Sequence, residues 1–275
     1  MKHVVLITTD QQRADAIGAV NPTYETPNLD ALIRQGIHFT GHLCTSAQCT
    51  PARATWMTGR YPHEVGVNVI GHMLDPKDDN IAYAFRRHGY ETVYFGKWHL
   101  GGKPAAYGFD VTDYRADGVD LWGANASDPR YHSYRDAVTT AQALNYLDDY
   151  RGDRPFFMHV SWYMPHPNVP PDRRKEGPFE NVPAYDERFP VDRMPVPESF
   201  YRDDLSTKPP HQRERSRKGE SALTEDMVRE DARRYRKLVA LADRNLGKIL
   251  AKLAERDLLD DTLVVFTSDH GDMQG

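Results

Sequence analysis

The sequence predicts an α/β domain with a doubly wound, mostly parallel sheet and helices on both of its faces. Apolar, β-branched runs of strand length alternate along the chain with amphipathic segments of helix length. The runs are apolar throughout, which is typical of parallel strands that are buried on both sides. With 275 residues, 39% of them hydrophobic, the chain can enclose a substantial core. We therefore expect residues 1–275 to form one domain.

Five segments have the composition of strands, and each is followed by a turn or by a helical pattern. They are "HVVLITT" (residues 3–9), "GIHFT" (36–40), "ETVYF" (91–95), "PFFMHVSWY" (155–163) and "TLVVFTSD" (262–269). Repeated strand–helix units of this kind favour parallel pairing, since the intervening helix returns the chain to the same edge of the sheet.

Five segments are predicted to be helices. Two of them show the usual order of cap, proline and closing glycine. These residues are Thr26, Pro27 and Gly36 in the first, and Cys49 or Thr50, Pro51 and Gly59 in the second. The other predicted helices cover residues 80–89, 132–150 and 224–259, the last one capped by Thr224.

Residues 165–222 interrupt this alternation. Eleven of the 19 prolines lie between Pro165 and Pro210, mixed with charged residues, and no periodicity is visible. Long loops of this kind are usually functional or disordered. The pattern predicts a long irregular excursion within one domain.

Composition excludes several classes of function. The formal net charge of −5, without a basic stripe, gives no basis for nucleic-acid binding. No apolar run reaches the length of a membrane span, and the N-terminus lacks a signal-peptide cleavage pattern. The two cysteines, Cys44 and Cys49, cannot form a disulfide framework. We expect a cytoplasmic protein that binds neither nucleic acid nor membrane; its oligomeric state is open.

Polar residues follow four of the predicted strands. They are Asp10 and Gln11, Lys97 and His99, His166, and Asp269 with His270. Each one alone could be a turn residue or an exposed loop histidine. Because the sites of open α/β sheets lie beyond the carboxyl ends of the strands, their joint occurrence predicts a functional site there.

Four of these residues have the chemistry of a metal site: Asp10, Gln11, Asp269 and His270. Carboxylate and amide oxygens favour Ca²⁺, Mg²⁺ or Mn²⁺, and the imidazole favours Mn²⁺ over Mg²⁺. Zinc is disfavoured because no Cys/His spacing supports it.

Cys49 is predicted to lie at a helix N-terminus, with Arg53 one turn further on. Two interpretations are open from these residues alone. The thiol could be a small buried apolar group beside a structural arginine. Alternatively, the helix dipole and Arg53 would lower the pKa of the thiol and make it a nucleophile.

The segment "CTPAR" (residues 49–53) resembles the C-x-P-x-R signature of type I sulfatases, in which the cysteine is converted to formylglycine. The similarity continues through "ATWMTGR" and "GYETVYFGKWHLGG", and "TTDQQRAD" and "TSDHGDM" occupy the two metal-binding positions of that family. These landmarks follow the family order along the whole chain. The resemblance implies the alkaline phosphatase-like fold, close to the phosphonate monoester hydrolase branch.

By this resemblance, the protein hydrolyses a sulfate monoester of a small molecule or a sugar, with a formylglycine gem-diol as the nucleophile. One divalent cation, Ca²⁺ before Mn²⁺ or Mg²⁺, is implied, and a formylglycine-generating enzyme would convert Cys49. The implied metal ligands are Asp10, Gln11, residue 49, Asp269 and His270.

The resemblance also implies roles for the other polar residues. Arg53 would stabilise the diol oxyanion, His99 would be the base, and Lys97 would hold diol and sulfate oxygens. His166 would contact the sulfate or protonate the leaving group. Asn68 is a weaker substrate-contact candidate.

Two positions depart from the sulfatase pattern. Gln11 stands where a second aspartate is frequent, and His270 stands where asparagine is frequent. Both residues also occur in phosphonate monoester and phosphodiester hydrolases, whereas "GKWH" keeps the lysine and histidine expected of sulfatases. We therefore favour a sulfatase, with phosphonate or phosphodiester cleavage as the alternative.

Members of this family continue beyond the second metal-binding segment into a smaller C-terminal subdomain. We therefore expect the 275-residue sequence to be either a fragment of a longer protein or a truncated gene product without that subdomain. We expect the 275-residue chain alone to have little or no activity. An alternative from another class is a truncated, non-catalytic remnant that binds a metal or an anion.

Overall fold

A computed structural model describes residues 2–117, 135–166, 185–202, 205–210 and 224–273. Within these ranges, four strands form one parallel sheet in the order β2-β3-β1-β4. The strands are β1 (His3–Asp10), β2 (Glu91–Gly96), β3 (Phe156–Pro165) and β4 (Thr262–Ser268). The predicted parallel α/β architecture is confirmed.

Six α-helices are described. They are α1 (Pro27–Gln35), α2 (Cys49–Thr58), α3 (Ile81–Arg87), α4 (Arg135–Asp149), α5 (Glu198–Arg202) and α6 (Glu225–Glu255). Short 3₁₀ turns cover Pro104–Tyr107, Val191–Arg193, Leu205–Thr207 and Leu259–Asp261. None of the described helices combines the length and the apolar character that crossing a membrane requires.

The sheet is covered on both faces, as the apolar strands predict. Val5 and Ile7 of β1 point into a core formed with α1, α4 and α6. Val4 and Leu6 point to the opposite face, where they pack in a second core together with Met57 of α2. Since successive strand residues face opposite sides, a strand with cover on both sides must be apolar throughout.

The helix boundaries correct two predictions. Gln48, not Cys49 or Thr50, precedes α2, so Cys49 is the first helical residue. Thr26 precedes α1, but its hydroxyl donates to Asp30 Oδ1 at 2.8 Å and does not cap the helix. Thr224 caps α6 as predicted, since its hydroxyl accepts the Met227 N–H at 3.3 Å.

The predicted strand at residues 36–40 is wrong. This segment has no strand structure, and Ile37 and Phe39 are 82% and 74% exposed. Its apolar composition resembles that of a strand, but strand structure requires a pairing partner. No strand of the described sheet lies beside the segment.

The excursion at residues 165–222 is only partly described, since 167–184, 203–204 and 211–223 lie outside the described residues. Its described part is more ordered than predicted. Residues 185–202 contain two short helical elements, and Tyr185, Phe189 and Met194 are buried in the main core. This part of the excursion is therefore anchored on α6 and in the main core.

Gly96 and Gly59 provide a test of the close contact between the end of β2 and the backbone of β3. Both have positive φ, +103° and +69°. A Cβ at Gly96 would lie 1.9 Å from the Ser161 carbonyl oxygen, whereas a Cβ at Gly59 meets nothing within 4 Å. We predict that Gly59→Ala lowers the free energy of unfolding by about 1 kcal/mol. Gly96→Ala should lower it by more than about 3 kcal/mol.

Urea unfolding followed by far-UV circular dichroism measures both values. Equal losses for the two variants would contradict the close contact between β2 and β3.

Candidate active site

The carboxyl ends of the strands bring the predicted site residues together. Asp10 ends β1, Lys97 follows β2, and Asp269 with His270 follows β4. The register pairs the Cα of Asp10 with that of Pro165, so the end of β3 lies beside them. The N-terminus of α2 adds Cys49 and Arg53, and these buried side chains form one cluster.

Arg53 lies at the centre of this cluster and is 1% exposed. Its Nε donates to Asp269 Oδ2 at 3.0 Å, and its Nη2 donates to Asp10 Oδ2 at 3.2 Å. Nη1 donates to the Lys97 carbonyl at 2.9 Å and to Ser161 Oγ at 3.0 Å. The guanidinium thus connects three strand ends through one rigid set of donors.

A polar chain supports Arg53 from within the sheet. Ser161 Oγ accepts from Thr8 Oγ1 at 3.1 Å, and Thr8 Oγ1 lies 3.0 Å from His159 Nε2. Burial and the charge of Arg53 lower the pKa of His159 to about 3, so this imidazole is neutral at pH 7. These residues were not predicted from the sequence. They could have been recognised as candidates because they are polar side chains inside otherwise apolar strands.

Asp10 is held as a carboxylate. Burial would raise its pKa, but Arg53 and the Lys97 ammonium, which also donates to Oδ2, hold that pKa below its usual value. The other carboxylate oxygen, Oδ1, lies 3.6 Å from Cys49 Sγ. A carboxylate that is ionised and oriented in this way can act as a metal ligand.

Asp269 is oriented by backbone groups. Its Oδ1 accepts the N–H of Gln11 and the N–H of His270, both at 2.9 Å, while Oδ2 accepts from Arg53. Gln11 lies in the cluster through this backbone contact, and its side-chain amide donates to Asp272. Gln11 has a φ of +68°, which turns the chain sharply at the end of β1.

The His270 ring is oriented by a backbone carbonyl. Nδ1 lies 2.8 Å from the Gly271 oxygen, so we assign the ring proton to Nδ1. Nε2 then carries a lone pair, and it lies 3.3 Å from Cys49 Sγ. A carbonyl that fixes the tautomer in this manner is typical of metal-binding histidines.

Cys49 is buried, and its pKa is raised to about 11. Burial is the main cause, followed by the negative charge of Asp10, and together they outweigh Lys97 and Arg53. The interpretation of Cys49 as a thiolate with a lowered pKa is therefore wrong. The helix N-terminus is present, but the two carboxylates beside the thiol oppose its ionisation.

The cluster has the donor chemistry of a divalent-cation site. One ligand atom each from Asp10, Cys49, Asp269 and His270 lies within 4.8 Å of the others, and all four residues are buried. Two carboxylates and an imidazole suit a divalent cation, whose positive charge would offset their burial. The residues present therefore fit a divalent cation.

The remaining predicted residues lie around this cluster. His99 is exposed; partial burial and the charges of Lys97 and Arg53 lower its pKa, which favours the neutral ring. His166 is exposed and close enough to Asp10 for its charge to help lower the pKa of that carboxyl group. Asn68 lies outside the cluster, in an exposed loop where its N–H donates to His72 Nδ1 at 3.3 Å.

Asp136, in the first turn of α4, holds the segment that leads to His166. Its carboxylate accepts the N–H groups of Tyr163 and Met164 at 2.8 and 2.7 Å. Tyr163 in turn offers its ring face to Lys97 Nζ, 5.2 Å from the ring centroid. The sequence analysis missed Asp136, because an acidic residue in the first turn of a helix is common.

The chain is similar to known proteins over almost its whole length. The family model described as Sulfatase matches residues 2–275. An ulvan-active sulfatase of Formosa agariphila is 30% identical, over 99% of this chain and 51% of the relative. The multifunctional alkaline phosphatase superfamily protein PehA of Trinickia caryophylli is 28% identical, over 100% of this chain and 64% of the relative. The solved phosphonate monoester hydrolase of Agrobacterium radiobacter has a TM-score of 0.75 at 25% identity, over 100% of this chain and 64% of that chain.

The parallel sheet, with its acidic and imidazole cluster at the strand ends, defines an alkaline phosphatase-like hydrolase fold. Within that class, the chain belongs to the sulfatase family. The chain spans 51% and 64% of the length of the two curated relatives described above.

Replacement of Arg53 tests the central ion pairs. We predict that Arg53→Met lowers the free energy of unfolding at pH 7 by about 3–5 kcal/mol, because it leaves two buried carboxylates without their shared cation. Arg60, whose side chain is 46% exposed and pairs with Asp78 at 3.2 Å, is the matched control. Arg60→Met should change the free energy by less than about 1 kcal/mol.

Urea titration gives both values. A loss below about 1 kcal/mol for Arg53→Met would show that the buried pairs are not an important constraint on the fold.

Burial of Asp136 predicts a pH-dependent difference in stability. Burial raises the pKa of Asp136 to about 6, so the folded chain holds this proton more tightly than the unfolded chain does. This group therefore makes the free energy of unfolding fall by about 2 kcal/mol between about pH 4 and pH 7. Asp136→Asn removes the effect, and its stability relative to wild type should rise by that amount over the same range.

The exposed Asp117→Asn variant is the control for loss of one carboxylate. Urea titrations at several pH values measure the differences. A difference between Asp136→Asn and wild type that is constant with pH would contradict the prediction.

Proposed function

We propose that this chain is the catalytic part of a sulfuric ester hydrolase that uses a formylglycine made from Cys49 and one divalent cation. The observation that carries the proposal is the position of Cys49. It is the first residue of α2, and its Sγ lies beside Asp10 Oδ1 and His270 Nε2 at 3.6 and 3.3 Å. An oxygen nucleophile made from this residue would lie directly at the proposed metal ligands.

Asp10, Gln11, Asp269 and His270 would hold the cation, with Ca²⁺ as the proposed metal and Mn²⁺ or Mg²⁺ as alternatives. Such an ion supplies Lewis-acid polarisation of the sulfate group. The protein's own charges in the centre nearly cancel, since Arg53 and Lys97 face Asp10 and Asp269. The cation would thus give the site the net positive charge that an anionic ester requires.

The reaction has two stages in this proposal. In the first, one hydroxyl of the hydrated residue 49 loses its proton to solvent and attacks sulfur, the bond between sulfur and the alcohol oxygen breaks, and His166 gives the departing alcohol a proton. In the second, His99 takes the proton from the other hydroxyl, a carbonyl forms at residue 49, and sulfate leaves. Water then restores the hydrate, so the net reaction consumes ester and water and yields alcohol, sulfate and a proton.

The charged residues would orient and stabilise the reacting groups. Lys97, near both Asp10 and the Tyr163 ring, would hold diol and sulfate oxygens. Arg53 would stabilise developing negative charge while it orients the two carboxylates. The lowered pKa of His99 supports its role as a base, because the neutral ring can accept a proton at pH 7. Asn68 remains a weaker candidate for a substrate contact.

A second candidate function is phosphonate monoester or phosphodiester hydrolysis by the same chemistry. Gln11 and His270 at the metal-binding positions favour it, as does the similarity to the Agrobacterium radiobacter hydrolase. A third hypothesis is a non-catalytic protein that keeps only the metal or anion site.

For the sulfatase, we propose a small-molecule or sugar sulfate ester as the substrate and a formylglycine-generating enzyme as the partner. The proposed compartment is the cytoplasm.

The first test is the intact mass of the protein after co-expression with a formylglycine-generating enzyme. We predict the mass change of one conversion from thiol to aldehyde, and its absence in Cys49→Ala. Cys44→Ser is the matched control and should still be converted, since Cys44 lies outside the "CTPAR" segment. An unconverted Cys49, with the enzyme active on a control substrate, would favour the non-catalytic reading.

Although we expect the chain alone to have little activity, any turnover by the converted protein separates the two hydrolases. The sulfatase proposal predicts a higher kcat/KM for an aryl sulfate than for an aryl phosphonate monoester with the same leaving group. A preference for the phosphonate would reverse the assignment.

A further inference from the structure

Before conversion, residue 49 is a thiol, and it gives the cluster a different set of donors. The unconverted cluster offers one sulfur from Cys49, one nitrogen from His270, and carboxylate oxygens from Asp10 and Asp269. A thiolate and an imidazole favour zinc and other borderline-soft cations, whereas oxygen donors favour Ca²⁺, Mg²⁺ or Mn²⁺. The chemical state of residue 49 therefore bears directly on the class of metal that this cluster prefers.

The spacing of these donors suits tetrahedral coordination. Zinc bonds of about 2.0–2.3 Å place neighbouring donor atoms about 3.3–3.6 Å apart in a tetrahedron. The Cys49 Sγ atom lies 3.3 Å from His270 Nε2 and 3.6 Å from Asp10 Oδ1, and His270 Nε2 lies 3.8 Å from Asp269 Oδ1. These three separations are close to those of a zinc site, and all four ligand atoms lie within 4.8 Å of one another.

The other ligands are already oriented by contacts on their far sides. The His270 Nδ1 atom faces the Gly271 carbonyl at 2.8 Å, which leaves Nε2 free to bind a metal. Arg53 fixes one oxygen each of Asp10 and Asp269. The other oxygen of Asp10 faces the thiol, and the other oxygen of Asp269 accepts two backbone N–H groups and lies 3.8 Å from the imidazole of His270. Such outer contacts reduce the reorganisation that metal binding requires.

We propose that the unconverted chain binds Zn²⁺ through Cys49, His270, Asp10 and Asp269, and that conversion of Cys49 changes the preference of the cluster to a harder cation. In the precursor, the thiol gives its proton to solvent and its sulfur forms a bond to the ion, without any redox step. The sequence disfavoured zinc because it shows no short Cys/His spacing. The fold instead brings together a cysteine and a histidine that are distant in the chain, Cys49 and His270.

Zinc bound at Cys49 would also affect maturation, a consequence that rests on the proposed function. A sulfur that is bonded to zinc is not available to a modifying enzyme, so zinc would block conversion of chains that fold before they are modified. The zinc site itself is independent of conversion and of any ester substrate.

Cobalt(II) is the probe, because its absorption spectrum reports both sulfur ligation and tetrahedral geometry. The protein is produced without a formylglycine-generating enzyme, and its intact mass establishes the thiol state. We expect one equivalent of Co²⁺ to give a sulfur-to-cobalt charge-transfer band in the near ultraviolet and intense visible bands of a tetrahedral ion. Equimolar Zn²⁺ should abolish both, whereas about a 100-fold excess of Ca²⁺ should leave them unchanged.

Three variants assign the ligands. Cys49→Ser should lose the charge-transfer band and weaken Zn²⁺ binding by at least about 100-fold, and His270→Gln should weaken it as well. The exposed Cys44 is the matched control, so Cys44→Ser should keep the full spectrum. Circular dichroism establishes that each variant is folded.

A weak, octahedral cobalt spectrum in the wild-type thiol protein would overturn the proposal. So would a charge-transfer band that survives Cys49→Ser. Because the measurement uses unconverted protein and no ester, it is unaffected if the proposed hydrolase function is wrong.

Discussion

The interaction on which this structure depends is the pair of ion contacts between Arg53 and the carboxylates of Asp10 and Asp269, at 3.2 and 3.0 Å. All three side chains are almost completely buried. The contacts require β1 and β4 to be parallel neighbours, so that both carboxylates leave the same edge of the sheet. They also require α2 to begin above that edge, which places Cys49 one helical turn from Arg53. The fold, the proposed metal ligands and the residue proposed for conversion are thus tied to one guanidinium.

Burial of this much charge adds little to stability, because desolvation offsets most of the attraction between the ions. What the arrangement provides is orientation. The low pKa of Asp10 keeps its carboxylate ionised, although burial alone would favour the protonated form. Arg53 occupies one oxygen of each carboxylate; the other oxygen of Asp10 is directed toward Cys49, and the other oxygen of Asp269 accepts two backbone N–H groups beside the His270 ring. Stability comes instead from the two apolar cores on either side of the sheet.

The sequence predicted the parts of the site that have a local signature. Asp10 and Asp269 follow apolar strands, and Cys49 and Arg53 lie within one helix turn. It did not predict the residues whose partners are distant in the chain. Ser161 and Arg53 are 108 positions apart in the chain, and the contacts of His159 and Asp136 likewise depend on the sheet register and on helix packing.

Strand propensity also gave a wrong prediction at residues 36–40. Their apolar composition indicated a strand, but a strand forms only where it can pair with another. The interpretation of Cys49 as a thiolate with a lowered pKa was wrong for a related reason. The helix N-terminus can be predicted from nearby residues, whereas the carboxylates that raise the pKa come from the ends of two strands that are distant in the chain.

If the strand ends and α2 form one divalent-cation site beside residue 49, crystals of the protein soaked in Mn²⁺ should show it by anomalous diffraction. We expect an anomalous peak within coordination distance of the Asp10 and Asp269 carboxylates and His270 Nε2, with Arg53 still bonded to both carboxylates. Manganese bound only elsewhere, or a cluster without a peak at saturating Mn²⁺, would contradict it.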